Sequence, residues 1–126
     1  MAGFSDRVRK LVRTRAGSGD LFVATCEADG IWLGQHGGEI QHIVARGMGG
    51  CKLAVINSCA NATLLCRDCH RLAESRDPEM RDRGFWLPQG TDPRLMPMTL
   101  FGGVVVWRSE TEPRYLYEPP EGALAA

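Results

Sequence analysis

Long apolar runs are missing from this sequence: no stretch approaches the roughly 20 residues that span a bilayer, so a membrane-embedded chain is not expected. An apolar export core is missing too. Residues 1–10 become charged at once, and a cytoplasmic protein is the expectation. Net charge is absent, with 15 Lys and Arg against 15 Asp and Glu, but the balance hides an uneven distribution. In the first 16 residues Arg7, Arg9, Lys10, Arg13 and Arg15 face the single acid Asp6, whereas Glu110, Glu112, Glu118 and Glu121 gather near the end. The five cysteines (Cys26, Cys51, Cys59, Cys66 and Cys69) are odd in number, which speaks against a disulfide framework and for metal ligation or inert burial.

What is present is an ordinary globular composition, 44% apolar and 24% charged, in a chain of 126 residues. That length fits one domain, drawn here over residues 1–117 with a frayed tail at 118–126. Ser5 can cap a basic helix over residues 5–16 whose apolar positions Val8, Leu11 and Val12 recur at helical spacing. Two short strands, 21–26 and 31–33, are expected around the turn 27–30, as in a knuckle. A strand over 39–45 should set His42 opposite Glu39 and Gln41. After a long glycine-rich loop to residue 60, a second strand (62–66) leads into a helix (67–75) that carries Cys69 and His70. Asp77-Pro78 starts a further short helix ending at Gly84. The apolar segment 85–88 packs back on the core, and residues 98–101 and 104–107 form a hairpin through Gly102-Gly103.

Two clusters can do chemistry. Cys66-Arg-Asp-Cys69 presents two thiols at a helix start, a half-site for a tetrahedral metal. Its partner pair is Cys26 and Asp29, with an aspartate where a second thiol is usual; Cys51 or Cys59 could substitute from the loop, and cysteines that simply pack are the alternative. Cys66-x-x-Cys69-His70 also fits covalent haem attachment, which needs an exported context that the N-terminus does not suggest. The three histidines divide: His36 sits in a glycine-rich turn and reads as a surface residue, whereas His42 and His70 bracket a constellation with Asn61 between them.

That constellation resembles the HNH endonuclease family, with its ββα-metal fold. The resemblance rests on His42, on Asn61 followed by eight residues and then His70, on the loop Arg46-Gly-Met-Gly-Gly50, and on Leu-Leu-Cys66-x-x-Cys69-His70. It covers about residues 26–75, with the ββα-metal core about 38–75; the flanks are similar, more weakly, to HNH proteins of actinobacteria and their phages.

The resemblance implies an α+β domain with a ββα-metal core, a preceding basic helix and a C-terminal β-hairpin. It implies metal-dependent hydrolysis of DNA phosphodiesters in a bacterial cell or phage-infected host, and suggests phage packaging proteins such as terminase as partners. His42 would be the general base, Asn61 a positioning residue, and His70 a ligand to a divalent ion (Mg, Mn, Ni or Zn). The second ligand would fall at Gln41, where the family commonly has Asp or His; an amide oxygen brings no charge and holds a cation more weakly. Glu39 lies on the same face and can assist. Cys26, Asp29, Cys66 and Cys69 would hold a structural zinc. Arg7, Arg9, Lys10, Arg13, Arg15, Arg46 and Lys52 would contact DNA phosphates without reading bases. A zinc-knuckle module that binds DNA or assembles without cutting is the competing reading.

Overall fold

In the computed structural model, which describes residues 3–45 and 54–123, the chain opens with α1 (Asp6–Ala16), capped where the Val8 N–H donates to Ser5 Oγ at 3.1 Å. Its neutral stripe packs inward with Val12 fully buried, leaving Arg7, Arg9 and Lys10 exposed. The two strands expected next do not form. Asp20 caps a 3-10 turn at Leu21–Val23 by accepting the Phe22 N–H at 2.9 Å, and only an isolated bridge, Thr25 to Trp32, joins the two arms. Closure comes instead from a tight turn in which the Cys26 N–H donates to the Ile31 carbonyl and the Gly30 N–H to that of Cys26.

β1 (Glu39–His42) pairs antiparallel with β2 (Ala62–Leu65), Gln41 opposite Thr63 and His42 opposite Ala62. β1 stops three residues short of the expected 45, because the Ile43 N–H turns to the Asn61 carbonyl and Val44 bridges Leu87 in parallel. The described end of the long loop is not irregular: residues Ala54–Asn57 and Cys59–Asn61 form 3-10 turns. β2 runs directly into α2 (Arg67–Glu74), whose N-cap is Cys66, and α3 (Pro78–Asp82) follows with Asp77 as cap.

The C-terminal hairpin is present as β3 (Met98–Thr99) against β4 (Val105–Arg108), but a third strand, β5 (Tyr115–Leu116), completes that sheet. Among the described residues, two antiparallel sheets and three α-helices thus make a small α+β fold. Two apolar clusters fill it, one around Phe4, Val12 and Leu64, the other around Ile43, Leu65, Phe85 and Met98; Leu33 packs against both. No helix among the described residues is long and apolar enough to cross a membrane.

A buried polar network ties these parts together and corrects one expectation. Arg15 is not a phosphate contact: it is 1% exposed and grips Glu27 through Nε and Nη2 at 3.1 and 2.9 Å. Its remaining donors reach the Cys59 and Ala62 carbonyls at 2.9 and 2.7 Å. Glu27 also accepts from Thr63 Oγ1, the Leu64 N–H and the Tyr115 hydroxyl, which is why β5 docks where it does. Burial alone would raise the Glu27 pKa, but the Arg15 charge and these donors outweigh it and hold the carboxyl below its ordinary range. The physical reason lies in the helix itself, since position 15 follows Val8 by seven residues and shares its inward face.

Candidate metal centre and catalytic cleft

The knuckle turn and the start of α2 bring Cys26, Asp29, Cys66 and Cys69 together, their ligand atoms all within 4.8 Å of one another. The Asp29 carboxylate accepts from the Cys66 and Cys69 thiols at 2.9 and 3.3 Å. Burial pushes the Cys26 thiol up to about 11 and the Cys69 thiol higher still. Asp29 goes the other way: its desolvation is outweighed by hydrogen bonds from Cys66, from the Ile31 N–H and from the other thiols. The result is a carboxylate ringed by thiols, a set that a divalent cation would bind by displacing thiol protons. In a tetrahedral zinc site with bonds of about 2.3 Å, sulfur ligands lie roughly 3.8 Å apart, so small shifts of these side chains would admit the ion. These four residues can therefore hold a metal ion such as zinc. Cys59 is not part of the set; it is buried in the other apolar cluster, under Arg15. Cys51 lies outside the described residues.

The second site is a cleft of about 400 Å³ over β1 and α2, lined by Gln41, His42 and His70 with Glu74, Arg76 and Trp86. Strand alternation separates the two histidine environments. Glu39 faces α2, where His70 Nδ1 stands 3.1 Å from its carboxylate and 3.3 Å from that of Glu74. Carboxylates that hold Nδ1 in this way orient the ring, as second partners do for metal-bound histidines. His42 faces the other way, stacked on Phe4 with ring centroids 3.9 Å apart. Its Nε2 lies 2.8 Å from Asn57 Oδ1, a contact in which the ring donates when the proton is on Nε2.

Asn61 is wholly buried and acts as a staple. Its Oδ1 accepts the Val44 N–H at 2.8 Å, while its amide donates to the Val44 and Ile56 carbonyls, each at 2.9 Å. It thereby joins the chain just after His42 to the turn that carries Asn57. Gln41 is the least settled member: its Oε1 is buried and has no hydrogen-bond partner among the described residues. A buried amide oxygen lacking a donor, beside an imidazole oriented by carboxylates, fits an incoming hard cation.

Among the residues expected to touch DNA, Arg7, Arg9 and Lys10 stay on the exposed face of α1. Arg13 is partly committed, donating to the Gly34 and Gly37 carbonyls at 3.3 and 2.8 Å. Arg46 and Lys52 lie outside the described residues. Phe4 and Asn57, both partners of His42, are residues that sequence reasoning missed. Nothing in their spacing marks them, since both contacts depend on how α1 and the 54–57 turn pack on β1. Comparison with protein-family models, curated proteins and solved structures gave no match for this chain.

Proposed function

We propose that this chain is a metal-dependent DNA endonuclease built on a ββα-metal unit, with His42 as general base and a divalent ion (Mg, Mn, Ni or Zn) held by His70 and Gln41. The observation that carries this reading is that Gln41, His42 and His70 all border one cleft over a strand–strand–helix unit, Gln41 and His42 from opposite faces of β1, while Asn61 staples the loop behind them. The bound ion would supply positive charge at the scissile phosphate and at the leaving 3′ oxygen.

The chain's own groups do the rest. Asn57 and Phe4 hold the His42 ring, which in this role would take a proton from water. Glu39 and Glu74 orient His70. Arg7, Arg9 and Lys10 offer a sequence-indifferent grip on phosphates, which makes binding steeply salt-dependent. The cysteine knuckle pins the start of α2, and hence His70, to the turn at residue 29. A partnership with phage packaging proteins such as terminase rests on the family resemblance alone.

The amide at position 41 favours a second reading, a knuckle module that binds DNA without cutting it. The two separate on supercoiled plasmid incubated with Mg²⁺, Mn²⁺, Ni²⁺ or Zn²⁺: nicked or linear product that disappears in His42→Ala and increases in Gln41→Asp supports the nuclease. Intact plasmid under every metal, with retained DNA binding, supports the module.

A further inference from the structure

α2 ends in a Schellman motif with an unusual occupant. The Arg76 N–H donates to the Ala73 carbonyl at 3.1 Å and the Asp77 N–H to that of Leu72 at 3.0 Å, which puts Arg76 at the position where glycine is the common choice. Arg76 accordingly has φ +62, in the left-handed region that disfavours a Cβ. Strain of this kind persists where surrounding structure or function maintains it.

The side chain gives that strain a use. Arg76 lines the cleft that holds His42 and His70, and among the described cleft residues it is the sole arginine or lysine. Its guanidinium lies over the Trp86 ring, 5.6 Å from the centroid, and the indole is itself anchored by an N–H bond to the Asp77 carbonyl at 2.8 Å. Among the described residues no carboxylate pairs with Arg76, although Glu74 lines the same cleft and is engaged by His70. A cation held by an aromatic face keeps its N–H donors unspent, in the planar fork that matches a phosphate.

We infer that Arg76, braced by Trp86, is a phosphate clamp that seats the DNA strand in the cleft, a positioning residue rather than a catalytic one. The inference rests on the nuclease reading for its ligand, but its test does not require cleavage. A fluorescently labelled 20-base-pair duplex is titrated with the protein as purified, without added divalent ion, across a series of salt concentrations. Arg76→Gly should weaken binding about 5- to 10-fold and flatten the slope of log K against log salt by about 0.9, the loss of one phosphate contact. The same substitution should raise Tm by a few degrees, because glycine suits φ +62, so weaker binding cannot be ascribed to misfolding. Arg76→Lys should recover the slope and only part of the affinity, since the charge returns without the fork. Equal affinity and slope for wild type and Arg76→Gly would overturn the clamp, including the case in which neither binds. Plasmid left intact by wild-type protein, with a slope that still depends on Arg76, would overturn the nuclease reading and leave the clamp standing.

Discussion

Replacing Arg15 by methionine should unfold the protein far more readily without acting through DNA. Arg15 and Glu27 are both buried, at 1% and 3% exposure, and two hydrogen bonds join them. Methionine fills much of the aliphatic volume but leaves the Glu27 charge without its counter-ion and the Cys59 and Ala62 carbonyls without their donors. Breaking one side of a buried pair costs about 3–5 kcal/mol. For a chain of this size, at about 3–5 °C per kcal/mol, the loss corresponds to a Tm lower by about 9–25 °C. Removing both charges in Arg15→Met with Glu27→Leu should cost clearly less than the sum of the single changes, because no charge is then stranded. Urea denaturation followed by circular dichroism reads all three variants. If Arg15→Met kept wild-type stability and lost DNA affinity, the buried assignment would be wrong and Arg15 would be a phosphate contact after all.

Three further outcomes follow from the same geometry. Metal analysis of the purified protein should find about one zinc per chain at the knuckle, and Asp29→Cys should hold it against a chelator that strips the wild type, because a fourth thiolate is a softer ligand; zinc equally labile in both would remove Asp29 from the set. Asn61→Ala should lower stability by about 2–4 kcal/mol, since the buried Val44 N–H and two carbonyls lose their partners, and a calorimetric Tm unchanged within error would contradict the staple. Gly84→Ala should destabilise as strongly as a core truncation, because Gly84 has φ +85 and an added Cβ would lie 2.3 Å from the Pro97 carbonyl oxygen; a wild-type denaturant midpoint would show that this turn relaxes freely.

The sequence was most legible where a local rule acts alone. The caps Ser5 and Asp77 and the run from β2 into α2 could be placed from residue type and spacing, because capping and short strands are decided within a few residues. The knuckle set was legible as two close-spaced pairs, Cys26 with Asp29 and Cys66 with Cys69, although only the fold joins them, whereas the expected strands beside it gave way to a 3-10 turn once Asp20 claimed the Phe22 N–H. Arg15 was misread because a basic residue on a helix looks solvated until a buried carboxylate is known to face it; Glu27 lies in a turn, and nothing nearby announces that it is inside. β5 and the partners of His42 were beyond reach, since Tyr115, Phe4 and Asn57 act through contacts made only by the assembled chain.

Plasmid cleavage by site variants tests most directly the proposal that the cleft over β1 and α2 hydrolyses DNA. Wild-type protein with Mn²⁺ or Mg²⁺ should nick or linearise supercoiled plasmid. His42→Ala should lose at least about 100-fold in rate while keeping its fold, in line with removal of a general base. Cleavage that proceeds equally well in His42→Ala and His70→Ala, or no cleavage by the wild type under any divalent metal, would contradict it.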